Sequence, residues 1–192
     1  MHQNERYQIM GKYQEALDEY YLEDENGKVR LIYAYFGLAI YITNCLEETF
    51  SIMLWTSRIF KNKPKTNKEV NEIIDEVENS RKTMGLLIQE IKENYGLTDE
   101  HKLQLKNVLD KRNYLIHKYF RLEIQKFYSE TGNKEMLKYF SDIIEEAQNL
   151  DNELNQYFEH YKLKLGFDER RITELVDKMK SEEMKRDKSN VS

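Results

Sequence analysis

LKNVLDKRNYLIHKYF, residues 105 to 120, repeats its apolar side chains every three or four positions. At roughly 100° per residue, Leu105, Val108, Leu109, Leu115, Ile116, Tyr119 and Phe120 fall in one stripe about 140° wide. Such a stripe marks an amphipathic helix lying on a core. Arg112 lies near its centre, about 20° from Leu105, where an apolar residue belongs. Asn113 sits at the edge of the stripe and His117 a little beyond, about 140° from Arg112 on an ideal helix. Tyr114 points roughly opposite the stripe centre, which predicts an exposed side chain. An arginine in such a stripe needs a partner, because burying an unpaired guanidinium is expensive. Glu47 and Glu48 are the candidate partners.

Working outward, the same period fills most of the chain. Tyr7, Met10, Tyr13, Leu17 and Tyr20 predict a first helix over about 4–22, and Asn26-Gly27 reads as a turn. A second helix follows over about 29–60. Its first half (Leu31, Ile32, Tyr33, Tyr35, Phe36, Leu38, Ile40, Ile42) is apolar on most sides, which predicts the most buried element. Thr66 and Glu69 form a capping-box pattern that starts a third helix, ending near Asn94-Tyr95-Gly96. Thr98, Asp99 and Glu100 start a fourth, over about 99–128. Thr131-Gly132-Asn133 is expected to break it before a fifth, over about 134–163. Gly166 marks a stop, Asp168 starts an amphipathic helix through Met184, and a polar tail follows. The expected fold is all-α: an up-and-down helical bundle of four to five main helices plus a C-terminal amphipathic helix. Residues 1–165 form the bundle, and 166–192 the last helix and tail.

Composition narrows the function classes. Of 192 residues, 40% are hydrophobic and 34% charged, which suits a globular domain; one proline and seven glycines leave long helices unpunctuated. Cys45 is the only cysteine, so neither an intrachain disulfide nor a multi-cysteine metal site can form. The longest apolar run, Leu31 to Ile42, is short of the ~20 residues of a membrane span, and the first 25 residues hold no continuous apolar core. The expectation is a cytoplasmic protein without a secretory leader or a membrane partner. Net charge is −5, which disfavours a charge-driven coat on nucleic acid. Residues 101–121 are nonetheless locally basic, with Lys102, Lys106, Lys111, Arg112, Lys118 and Arg121 against Asp110 alone.

Residues 112–117, Arg-Asn-Tyr-Leu-Ile-His, match the R-x4-H signature of the HEPN superfamily, including the polar residue that often follows the arginine. The setting is also similar: a helical approach through Leu105, Val108 and Leu109, then the motif, then Tyr119-Phe120. The fold-level resemblance covers about 5–163. It implies a metal-independent endoribonuclease of a toxin or defence system, acting as a homodimer with a composite site. Carried onto this chain, it implies Arg112 and His117 as catalytic residues with Asn113 assisting. The chemistry is coherent, because the ribose 2′-hydroxyl is an internal nucleophile. His117 would move its proton or supply one to the leaving oxygen, and Arg112 would stabilise phosphoryl charge. Lys111, Lys118, Arg121 and Tyr114 are the expected RNA contacts, although a solvated face explains some of those charges equally well. No metal and no cofactor is implied. The expected partners are RNA, a second copy, and an antitoxin or sensor protein.

Other chemistry is weakly represented. No glycine loop matches a phosphate or dinucleotide cradle. His2, His101, His117 and His160 lack zinc-ligand spacing, and no pair of Glu-x-x-His motifs supports a di-iron site. Two rival readings stay open. One is a catalytically inactive protein-binding module in which Arg112 and His117 are structural and Ile172, Leu175, Val176 and Met179 form a docking face. The other is a regulator that binds nucleic acid without cleaving it.

Overall fold

A computed structural model describes residues 11–79, 84–166 and 168–189, and every regular element among them is a helix. In chain order these are α1 (Lys12–Leu22), α2 (Glu25–Asn62), α3 (Asn67–Glu78), α4 (Met84–Tyr95), α5 (Asp99–His117), α6 (Tyr119–Glu123), a 3-10 helix (Ile124–Tyr128), α7 (Glu130–Lys164) and α8 (Glu169–Ser189). Residues 4–10 of the expected first helix, and His2, lie outside the described residues. The chain forms two compact units, Met1–Leu154 and Asn155–Ser192. The division between these units lies within α7.

The all-α class stands, but the expected count of four to five main helices plus one is corrected. Nine helical segments, eight α and one 3-10, lie among the described residues. The expected third helix is two: α3 stops at Asn79, whose ψ of 14° takes it out of the helix, and α4 begins at Met84. The expected fourth is three, because Lys118 (φ −133°, ψ −31°) interrupts the run before Tyr119. Apolar side chains on both sides of that break still face the core, so periodicity continues through it.

Two expected breaks are instead helical. Asn26-Gly27 lies in the first turn of α2, where the Asp24 carboxylate accepts from the Gly27 amide at 2.6 Å. Gly132 lies in the first turn of α7. A Cβ there would stand 2.2 Å from the Lys126 carbonyl oxygen and 2.7 Å from its Cα. The glycine is needed for close approach of the 3-10 helix, which a turn reading does not anticipate. Asn133 is buried and its amide donates to the Tyr20 hydroxyl at 3.3 Å, tying α7 to α1. The caps read from sequence do form: Thr66 with Glu69 as a full capping box, and Thr98 accepting from the His101 amide.

The core is built by α1 (Ala16, Tyr20), α2 (Ile32, Tyr35, Ala39), Leu115 of α5, Tyr119 of α6, and Met136, Leu137, Phe140, Ile143 and Ile144 of α7. Phe140 is its hub, with ring centroids 5.6 Å from Phe36 and 4.9 Å from Tyr119. Helix α2 packs against α1, α3, α4 and α5. It is not buried all round: Ile32, Tyr35, Ala39, Thr43 and Leu46 face inward, while Tyr33 and Tyr41 are 51% and 63% exposed. By length and composition alone α2 also meets the size of a membrane span, over an 18-residue window of mean hydropathy 1.4. That is longer than the run of about 12 expected from sequence.

Candidate active site at the end of helix α5

Helix α5 is positioned by Leu105, Val108, Leu109 and Leu115, all buried on its inner face. Arg112 occupies the stripe centre as expected, and its environment explains how a charge is tolerated there. Its Nη2 lies 3.0 Å from Glu47 Oε2 on α2, with both side chains 24% exposed. Nε and Nη2 donate to the Asn44 side-chain oxygen at 3.3 and 3.2 Å, and Nη1 donates to Asn113 Oδ1 at 3.2 Å. Of the two expected partners Glu47 is therefore the one used. Nη1 keeps one N–H for which no acceptor is recorded among the described residues. The guanidinium is anchored along one edge and open at one corner.

Asn113 is exposed and its oxygen faces Arg112, so within one chain it orients the arginine rather than the imidazole. It also lines a groove of about 370 Å³ between α4 and α5, whose walls include Ile88, Leu103 and Leu109 and whose rim carries Lys106. His117 is the last residue of α5 and is exposed, with no hydrogen bond or ion pair recorded among the described residues. His101 differs, since its ring meets Thr98 Oγ1 at 2.8 Å and Glu153 at 3.3 Å. The described contacts thus bring together Arg112, Asn113, Asn44 and Glu47. They leave His117 apart, as the angle of about 140° requires.

The expected RNA contacts divide. Lys118, at the break between α5 and α6, and Arg121 are exposed and have no recorded ion pair among the described residues. They flank His117 and give the helix end its positive charge. Lys111 is engaged instead, with Nζ 2.5 Å from Glu146 of α7. Tyr114 departs furthest from expectation. It is half-buried, its hydroxyl donates to Glu123 at 3.0 Å, and its ring meets Tyr119 and Tyr139 edge-on at 5.8 and 6.2 Å. Burial, then the Glu123 hydrogen bond, pushes its phenol pKa upward. The reason is local: Tyr119 and Glu123 of α6 and Tyr139 of α7 close over Tyr114, while Leu103, Asn107 and Asp110 on the same side of α5 stay exposed.

Asn44 escaped the sequence reading, though a signal exists. Residues 31–46 contain no charged side chain, and Asn44 is the one amide among them, on the same helix as Glu47. An amide in so apolar a run needs a partner. Among the described residues no group of three or more His, Cys, Asp or Glu side chains forms a cluster suited to a metal ion. No family model, curated protein or solved structure matches this chain.

Proposed function

We propose that the chain is a metal-independent endoribonuclease of the HEPN type, a toxin or defence effector whose site is completed at a homodimer interface. What carries this reading is the contrast within the Arg-Asn-Tyr-Leu-Ile-His segment. Its histidine is exposed and unengaged at a helix end flanked by Lys118 and Arg121, while its arginine is anchored by Asn44, Glu47 and Asn113 with one N–H to spare. An exposed, unengaged imidazole is open to proton exchange with a substrate, and an anchored guanidinium offers preorganised charge.

In this mechanism the ribose 2′-oxygen attacks the adjacent phosphorus and the P–O5′ bond breaks. The products are a 2′,3′-cyclic phosphate and a 5′-hydroxyl. His117 takes the 2′ proton or gives one to the departing 5′-oxygen, and a second histidine from the partner copy serves the other transfer. Arg112 directs its spare Nη1 N–H at the phosphoryl oxygens. Asn113 is a positioning residue for Arg112. Lys118 and Arg121 hold flanking phosphates, with the salt sensitivity such contacts bring. Because Arg112 and His117 diverge on one helix, a second copy eases their convergence on one phosphate. The proposed setting is the cytoplasm, with an antitoxin or sensor protein as a further partner.

One observation favours the inactive-module reading. The Arg112–Glu47 pair accounts for the arginine structurally, with no substrate needed. The test is cleavage of total RNA and tRNA in EDTA by the wild type and by His117→Ala, matched by circular dichroism and solution mass. Cleavage by the wild type alone supports the nuclease. Equal cleavage by both, or none by either across these substrates, overturns it.

A further inference from the structure

The outward face of α2 carries a pattern that its role in the core does not use. Residues 31–46 are uncharged, yet Tyr33, Ala34, Gly37, Leu38, Tyr41, Asn44 and Cys45 are all exposed. On an ideal helix these lie within a band centred on one line along α2. At the two ends of that line stand Arg30 and Glu48, both exposed, with no ion pair recorded for either among the described residues. They are 18 residues apart, five whole turns, so they share one azimuth and sit about 27 Å from each other. A Cβ placed on Gly37 would meet nothing within 4 Å. An uncharged exposed stripe of this kind marks an interaction surface.

We infer that this stripe is where a second copy of the chain docks, with the two α2 helices antiparallel. The charges select that partner. In an antiparallel pair Arg30 of each copy meets the partner's Glu48, giving two ion pairs related by a two-fold axis, whereas a parallel pair sets like charges together. The same register places Tyr41 over the partner's Gly37, where the missing Cβ leaves room for a ring. It also sets Asn44 against the partner's Ala34, so the second copy packs beside the amide that holds Arg112. The inference places a second copy beside Asn44 and rests on the proposed function only for its consequence at Arg112; the pairing itself requires no RNA chemistry.

The test is the solution mass of the full chain by sedimentation equilibrium. The wild type is expected to be a dimer. Arg30→Glu or Glu48→Arg alone should raise the dimer Kd by about tenfold or more, the scale of two exposed like-charge contacts. The double variant Arg30→Glu/Glu48→Arg should return it to near the wild-type value. Gly37→Leu, with helix content checked by circular dichroism, should weaken the dimer independently of charge. A wild type that is monomeric, single reversals without effect, or a double variant as weak as either single each overturn the inference. So does a monomer that floats with phosphatidylcholine–phosphatidylglycerol vesicles, which would assign the stripe to a lipid surface. RNA cleavage is not read in this experiment, so its outcome and that of the nuclease test are separable.

Discussion

Removing the Arg112–Glu47 pair tests whether Arg112 is anchored in the fold while His117, on the same helix, is not. The perturbation is a double-mutant cycle of Arg112→Gln and Glu47→Gln, with His117→Ala alongside. The N···O distance is 3.0 Å and each side chain keeps 24% of its exposure, so the pair is neither a solvated surface contact nor a fully buried one. Bare attraction at this range reaches ~5–6 kcal/mol at an effective dielectric near 20, and the cost of taking both ions from water removes most of it. The remaining coupling should be ~1 kcal/mol, above the usual surface pair. Arg112→Gln also forfeits hydrogen bonds to Asn44 and Asn113, so its total cost should be ~1–3 kcal/mol, most of it outside the coupling term. His117 is exposed, so His117→Ala should change stability by less than ~0.5 kcal/mol. Urea denaturation measures all four variants. A coupling near zero, or a His117→Ala cost matching that of Arg112→Gln, would refute the contrast between an anchored Arg112 and an unengaged His117.

Three further outcomes follow from the fold. Gly132→Ala should destabilise by ~1–3 kcal/mol despite alanine's better helix propensity, because the new methyl meets the Lys126 backbone; a stabilised variant in urea melts would contradict the close approach. Phe140→Ala should cost ~3–5 kcal/mol by chemical denaturation, as expected for a fully buried ring at the hub of the core. Burial, with Glu19 and Glu15 nearby, pushes the Tyr35 phenol up to about 12. A folded-state pKa raised above the unfolded value leaves stability intact below pH ~10 and removes it as pH rises toward ~12, by up to ~2–3 kcal/mol. Tyr35→Phe should flatten that alkaline decline, and an unchanged pH profile would show that Tyr35 does not contribute it.

What was legible in the sequence followed from local rules. The caps at Thr66 and Thr98 were readable because each is complete within four residues. Arg112's need for a partner was readable from the stripe alone, and Glu47 was one of two named candidates. The helix count was not readable, because the break at Lys118 preserves the inward face on both sides. Gly132 looked like a stop only because sequence cannot show Lys126 pressed against it. Tyr114 was misplaced for a related reason: one helix's periodicity cannot show that Tyr119, Glu123 and Tyr139 of later segments fold back over that one side chain. Lys111 likewise looked free until Glu146 of α7 stood beside it. Local signals survived; contacts between distant segments did not.

The most direct measurement of the central claim uses one RNA oligonucleotide in two forms. The protein is first given the all-ribose substrate in EDTA and its cleavage position is mapped. It is then given the same strand with a single 2′-deoxy residue 5′ to that position. The account predicts cleavage of the first with a 2′,3′-cyclic phosphate end, no cleavage of the second at that bond, and loss of both activity and cyclic end with His117→Ala. Cleavage of the deoxy-substituted bond at an undiminished rate would contradict 2′-hydroxyl attack, and with it the roles given to Arg112 and His117.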